Sequence, residues 1–188
     1  MLSSTEALDI AAAILSVSGT ITGSARLKIS WPLSFSACLL YSILFYQKEL
    51  LFNTVIHIIY LPLSVLGLYL WREKNPSTLK IKSTPTPIIN LIATTCLFVY
   101  FYCKVHGLSW HYDFITSFLS ITAFVLMGFA QLECWLLWLI ADVFYLYLYS
   151  SHALFYSLFK SFFYCLITST SFVLWKRKYL NGIKNEAT

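Results

Sequence analysis

The chain has 188 residues, 59% of them hydrophobic and 11% charged, with a mean hydropathy of +0.72 and a formal net charge of +5. A soluble domain needs more polar surface than this, so the chain reads as an integral membrane protein with almost nothing left for a soluble domain. Its 13 Lys and Arg against 8 Asp and Glu fall mostly between apolar segments, so the basic excess reports orientation rather than nucleic-acid binding.

A spanning helix needs about 20 mostly apolar residues, and seven such windows fit, at about 6–24, 31–47, 50–71, 86–105, 112–129, 134–150 and 153–175. The first carries Glu6 and Asp9 and has no basic region before it, which argues against a cleaved signal peptide. The second opens on Trp31-Pro32, where a missing amide hydrogen costs little. The third holds Pro62 in mid-span, which is expected to free a carbonyl and kink the helix, as a static bend or as a hinge. In the same span Asn53, His57, Tyr60 and Ser64 fall at helical spacing and share a face. The connection from Arg72 to Pro87, with Asn75-Pro76-Ser77 and Thr84-Pro85-Thr86-Pro87, ends the first unit, and the fourth span follows it.

The sixth span spaces Trp135, Trp138, Asp142, Tyr145 and Tyr149 by three or four residues, placing two indoles, a carboxylate and two phenols on one helix face. Such a face suits a flat, cationic, hydroxylated molecule, which stacks on the rings, is balanced by the carboxylate and hydrogen-bonds the phenols. The structural alternative is an aromatic packing stripe in which Asp142 bonds a neighbouring helix. The mid-span position of Asp142 favours a ligand role, because intramembrane charge is costly and usually retained for function. Glu133, just before this span, reads as a helix-start residue at the interface. Lys160 sits about two turns into the seventh span, deep enough to need a partner or to snorkel outward. A retinal-type Schiff-base lysine is the remaining reading, and it leaves the internal repeat unexplained. Trp31, Trp71, Trp110 and Trp175 stand at predicted span ends and are expected to be interfacial anchors. Cys38, Cys96, Cys103, Cys134 and Cys165 show no metal-ligand spacing and are taken as packing residues, so no metal and no cofactor is expected.

The chain also repeats itself at an offset of 104 residues without a gap. That shift carries Asp9 to Asp113, Trp31 to Trp135, Ala37 to Ala141, Tyr41 to Tyr145, Tyr60 to Tyr164, Trp71 to Trp175 and Lys74 to Lys178. Rare tryptophans held in register over three apolar segments imply two copies of a three-helix unit. The fourth span has no partner, and four spans precede the second copy, so the copies run the same way. The expected fold is therefore all-α and integral to the membrane: seven transmembrane helices in a 3+1+3 parallel pseudo-repeat. It forms a single transmembrane domain over 1–188, with repeat one at about 5–74, a linking helix at about 85–105 and repeat two at about 109–178. Lys and Arg concentrate on one side, as Arg26, Lys28, Arg72, Lys74, Lys80, Lys82, Lys176, Arg177, Lys178 and Lys184, against Lys48 and Lys104 on the other. This puts the N-terminus outside and the C-terminus in the cytoplasm. If the repeats pack symmetrically, the His57 face meets the sixth span across a central cavity. There is no phosphate-binding glycine loop, nucleotide-binding domain or zinc-protease motif, so ATP hydrolysis is not expected and the chain is read as a non-enzyme.

The segment from Trp31 to Tyr46, Gly67-Leu68-Tyr69-Leu70-Trp71, and above all Glu133-x-Trp135-x-x-Trp138-x-x-x-Asp142 resemble the PnuC family of vitamin transporters over nearly the whole chain. The resemblance implies a SWEET-like arrangement of seven helices in a bacterial inner membrane. It also implies facilitated diffusion of an unphosphorylated vitamin, most often nicotinamide riboside, feeding NAD salvage. A cytoplasmic kinase then traps the product as a functional partner without implied contact. By position it assigns Trp135, Trp138 and Asp142 to the substrate; the helix faces read above add Tyr145, His57, Asn53 and Tyr60 as expected further contacts. Family members often carry Asn at the position of Asp142 and Gln at that of His57, and both departures bear on substrate choice. An ionised Asp142 favours cationic nicotinamide riboside or thiamine over neutral riboflavin. The rival class is a non-transporting membrane receptor or scaffold, and homo-oligomerisation and ion coupling are open at this stage.

Overall fold

The computed structural model describes residues 4–47, 51–72, 80–83, 111–151 and 155–186, with positions 85, 88, 92, 97, 100, 101, 104 and 105 between them. Among these residues it is helical, with no strands: α1 (Ser4–Ser24), α2 (Ser30–Gln47), α3 (Leu51–Trp71), α4 (His111–Gly128), α5 (Cys134–Ser151) and α6 (Phe155–Glu186). These match the first, second, third, fifth, sixth and seventh predicted spans. Of the fourth, positions 88, 92, 97, 100, 101, 104 and 105 are helical, and the rest lies outside the described residues. Three helical stretches are long and apolar enough to cross a membrane, Thr5–Ser24, Asn53–Trp71 and Leu158–Ile183. Ile14, Val55, Val65, Phe159 and Leu174 are each more than half exposed, an apolar outer surface suited to lipid.

The 104-residue offset reappears in the element bounds. The ends of α1 and α4, the starts and ends of α2 and α5, and the starts of α3 and α6 all correspond. It reappears bond by bond in the turns. After α1, Arg26 adopts φ 61°, its N–H donates to the Gly23 carbonyl at 2.9 Å and that of Leu27 to Thr22 at 2.9 Å. After α4, Ala130 adopts φ 56°, with Ala130 N–H to Met127 and Gln131 N–H to Leu126, both 2.9 Å. Each is a Schellman termination with its left-handed residue at C′, here without the usual glycine. Burial draws the Arg26 guanidinium below its ordinary pKa.

The chain forms two compact units. The first comprises Met1–Lys80 with Met127–Ala130. In it α2 packs on both α1 and α3, and Ala12, Tyr41, Leu44 and Phe45 form its core with Leu8 and Leu40 against them. Trp31 and Trp71 are each 1% exposed and meet edge to face at 5.2 Å and 90°. The Trp31 ring lies on the backbone of Gly67, where any Cβ would come within 2.2–2.4 Å of three ring carbons. Trp71 Nε1 donates to the Gly128 carbonyl at 3.0 Å. Lys28 Nζ donates to the carbonyl of Arg72, supplying a cation to the C-terminus of α3. Pro62 lies within a continuous α3.

The second unit comprises Ile81–Leu126 and Gln131–Thr188. Ile92, Ile115, Leu119 and Ala141 form its core, with Phe118, Leu137, Phe144 and Tyr145 packed against them, and α5 packs on α6. Trp135 and Trp175, 0% and 1% exposed, repeat the edge-to-face pair at 5.5 Å and 78°. An isolated bridge joins Lys82 to Gln131, with Leu132 N–H donating to the Lys82 carbonyl at 2.8 Å. Beside it, Ser83 Oγ donates to Glu133 Oε1 at 2.6 Å, fixing the residue whose carbonyl accepts the first bond of α5 from Leu137.

Two expectations are corrected. Trp31, Trp71 and Trp175 are not interfacial anchors: Trp31 and Trp71 are buried against each other, Trp31 also lies on the Gly67 backbone, Trp175 is buried against Trp135, and Trp110 lies outside the described residues. The last helix does not stop near residue 175 but runs to Glu186. Its counterpart α3 ends at Trp71 before Pro76, with Lys28 on its last carbonyls. Residues 176–186 contain no proline, and Leu132 stands where Lys28 does, so neither device stops α6.

Candidate functional site

Within the second unit a polar cluster is set among the apolar helices. Asp142 of α5 is 6% exposed, and its Oδ2 has no hydrogen-bond partner among the described residues. Three groups of α6 bear on it: the charge of Lys160, the hydroxyl of Thr168 and the Cys165 thiol. Spacings of four residues put Lys160, Tyr164 and Thr168 on one face of α6. Thr168 Oγ1 also donates to the Tyr164 carbonyl at 2.7 Å, so its single proton serves the carbonyl or the carboxylate, not both. One turn along α5, the Tyr145 phenol hydrogen-bonds the side chains of Ser120 and Thr116 of α4, and it shares the field of Lys160 and Asp142.

Toward the start of α5, the half-buried Trp138 ring rests edge-on against Trp135 at 5.3 Å and against Phe124 at 6.2 Å. Trp135 itself is fully buried between Trp138 and Trp175, and its indole N–H has no acceptor among the described residues. The expected face is therefore graded. Trp135 and Asp142 are interior, Trp138 and Tyr145 are half-buried, and the side chain of Tyr149 lies outside the described residues.

In the first unit, His57 sits in an aromatic cage, 5.2 Å from the Tyr41 ring, 5.1 Å from Phe45 and 5.7 Å from Tyr60. Its Nδ1 lies 2.8 Å from the Asn53 carbonyl, one turn back. A carbonyl only accepts, so Nδ1 carries the proton, and in the neutral ring Nε2 presents a lone pair. Asn53 and Tyr60 thus flank His57 as the spacing predicts, with Tyr60 buried.

The repeat shows how the two units differ in chemistry. Positions equivalent to Asp142, Lys160, Thr116 and Thr168 are Cys38, Ile56, Ala12 and Ser64, and the position equivalent to His57 is Ser161. Shared residues carry the packing, while Asp142 and Lys160 belong to one copy and His57 to the other. Thr116, Ser120 and Thr168 were not singled out by the sequence reading. Their signal was a hydroxyl in an apolar span, which is common in membrane helices. No group of His, Cys, Asp and Glu that could hold a metal occurs among the described residues.

Buried tryptophans in register, duplicated turns and charges inside apolar helices define a multi-pass membrane protein of the transporter class. The family model described as "Nicotinamide mononucleotide transporter" matches residues 6–177, and the chain belongs to that family. No curated protein sequence matches the chain. Among solved structures, the crystal structure described as "the Vitamin B3 transporter PnuC" is similar with a TM-score of 0.75 at 18% identity, covering 93% of this chain and 82% of that one. The fold is thus that of PnuC.

Proposed function

We propose that this protein takes up nicotinamide riboside by facilitated diffusion across a bacterial inner membrane, supplying NAD salvage. In this reading the full fold has seven spans in a 3+1+3 parallel repeat, with the N-terminus outside and the C-terminus in the cytoplasm, as the distribution of Lys and Arg supports. The observation that carries the reading is the buried carboxylate of Asp142, with one oxygen unpartnered among the described residues, on a helix that also presents Trp138 and Tyr145. A pyridinium ring offers positive charge without hydrogen-bond donors and has a flat face, while the ribose offers hydroxyls. Asp142 answers the charge, Trp138 backed by Trp135 offers a ring to stack on, and Tyr145 offers a phenol. Within repeat one, His57 presents a lone pair at Nε2, with Asn53 and Tyr60 beside it, as a polar group of that unit alone.

A phosphorylated nucleotide fits less well, because its anionic group meets Asp142 and the cation nearby, Lys160, already acts on that carboxylate. Thiamine shares the cationic ring and hydroxyl and is the closest competitor. Calorimetric titration of the purified protein with nicotinamide riboside, nicotinamide mononucleotide and thiamine tests the reading. Micromolar binding of the riboside alone supports it, and preference for either of the others replaces it. Binding of none by a folded sample favours a receptor or scaffold role.

A further inference from the structure

The proposed substrate role of Asp142 leaves a question about the empty protein. A carboxylate this deep needs a counter-charge or several donors, since an uncompensated buried charge costs several kcal/mol. The donors are few. Oδ2 has none among the described residues, and the Thr168 proton is contested by the Tyr164 carbonyl. What remains is Lys160, on the α6 face that carries Thr168 toward Asp142.

Lysine suits a reversible partnership. Its ammonium is a compact charge on a flexible four-carbon stem, and in a membrane helix it can bend toward water when a partner is lost. Lys160 is half-buried rather than sealed in, which gives it that freedom. The repeat supplies a second, independent observation: Cys38 and Ile56 occupy the equivalent positions, so both members of the pair are present in one copy and both absent from the other. Their occurrence together is what a charge pair requires, since either alone would be an uncompensated charge in an apolar span.

We infer that Lys160 is an internal counter-ion that stands in for the substrate's cation in the empty protein and is displaced from Asp142 when a positively charged ring binds. Lys160 then sets the affinity for cations: a positively charged ring binds Asp142 only by displacing it, so its charge competes with the ligand's, while a ligand without positive charge does not contend with it. This rests on the substrate reading above.

The test uses nicotinamide riboside and its reduced dihydropyridine form, a near-isostere without the ring charge, titrated into wild type and into Lys160→Met, Lys160→Gln, Lys160→Arg, Asp142→Asn and the Lys160→Met/Asp142→Asn double variant. Both neutral Lys160 variants are expected to tighten binding of the cationic form by on the order of tenfold while leaving the uncharged form within about twofold. Having two of them guards against one failing to fold. Lys160→Arg keeps the wild-type ratio. Asp142→Asn abolishes discrimination between the two forms, and removing Lys160 as well restores none of it, so the two effects do not add. An unchanged ratio in folded Lys160→Met or Lys160→Gln, or additive effects in the double variant, overturns the inference and leaves the substrate reading standing. Failure of wild type to bind either form overturns both.

Discussion

The indole N–H of Trp71 donates to the carbonyl of Gly128, 57 residues away, at 3.0 Å. With Met127 set against Gly23 and Gly128 against Gly67 and Leu70, this bond gathers Met127–Ala130 to the first compact unit, which is therefore not one continuous stretch of chain. It also satisfies one of the carbonyls that the last turn of α4 leaves without an intrahelical partner.

Trp71→Phe removes the donor and leaves a smaller aromatic ring at a buried site. Leaving the buried Gly128 carbonyl unpaired is expected to cost about 1–3 kcal/mol, seen as a lower midpoint in thermal unfolding in detergent. An unchanged midpoint would mean that the carbonyl finds another donor.

Gly67 and Ser171 are repeat equivalents with different tolerance. At Gly67 a Cβ would collide with the Trp31 indole, itself held against Trp71, so Gly67→Ala is expected to destabilise by about 1–3 kcal/mol. Ser171 already carries a side chain, whose hydroxyl donates to its own helix at Ile167, and Ser171→Ala is expected to cost less than about 1 kcal/mol. Equal losses in the two melting curves would contradict the packing account.

Ala130 holds φ 56° with a Cβ present, a conformation that costs an L-residue about 1–2 kcal/mol. Ala130→Gly relieves that strain and gives back part of it through the more flexible unfolded chain, so a net gain of about 0.5 kcal/mol is expected. Differential scanning fluorimetry of the two proteins side by side reads it directly.

Asp142→Ala removes the proposed charge contact without disturbing the tryptophan pairs. Loss of nicotinamide riboside binding is expected, with the elution profile and circular dichroism unchanged. Retained affinity would take Asp142 out of the site.

Much of the architecture was written in the 104-residue register, because helix starts, stops and tryptophans recur with it. The environment of those tryptophans was not. A tryptophan at the end of an apolar run looks the same whether it faces headgroups or another indole, and only its partner forty residues on, Trp71 for Trp31 and Trp175 for Trp135, separates the two. The left-handed turns were also hidden, since Arg26 and Ala130 carry none of glycine's signal. Asp142 and Lys160 stood out because charge is rare in a span. Thr116, Ser120 and Thr168, which complete their surroundings, did not, because a lone hydroxyl is ordinary there.

The continuation of α6 past its repeat counterpart gives the molecule a handle. From Trp175 to Glu186 the helix advances 11 residues, about 16 Å at 1.5 Å per residue, and carries Lys176, Arg177 and Lys178 on its first turn. A helical partner fused in phase after Glu186 would inherit that direction rather than swing on a tether. This makes the end of α6 the natural place to graft a rigid fiducial for single-particle imaging of a protein otherwise too small to align.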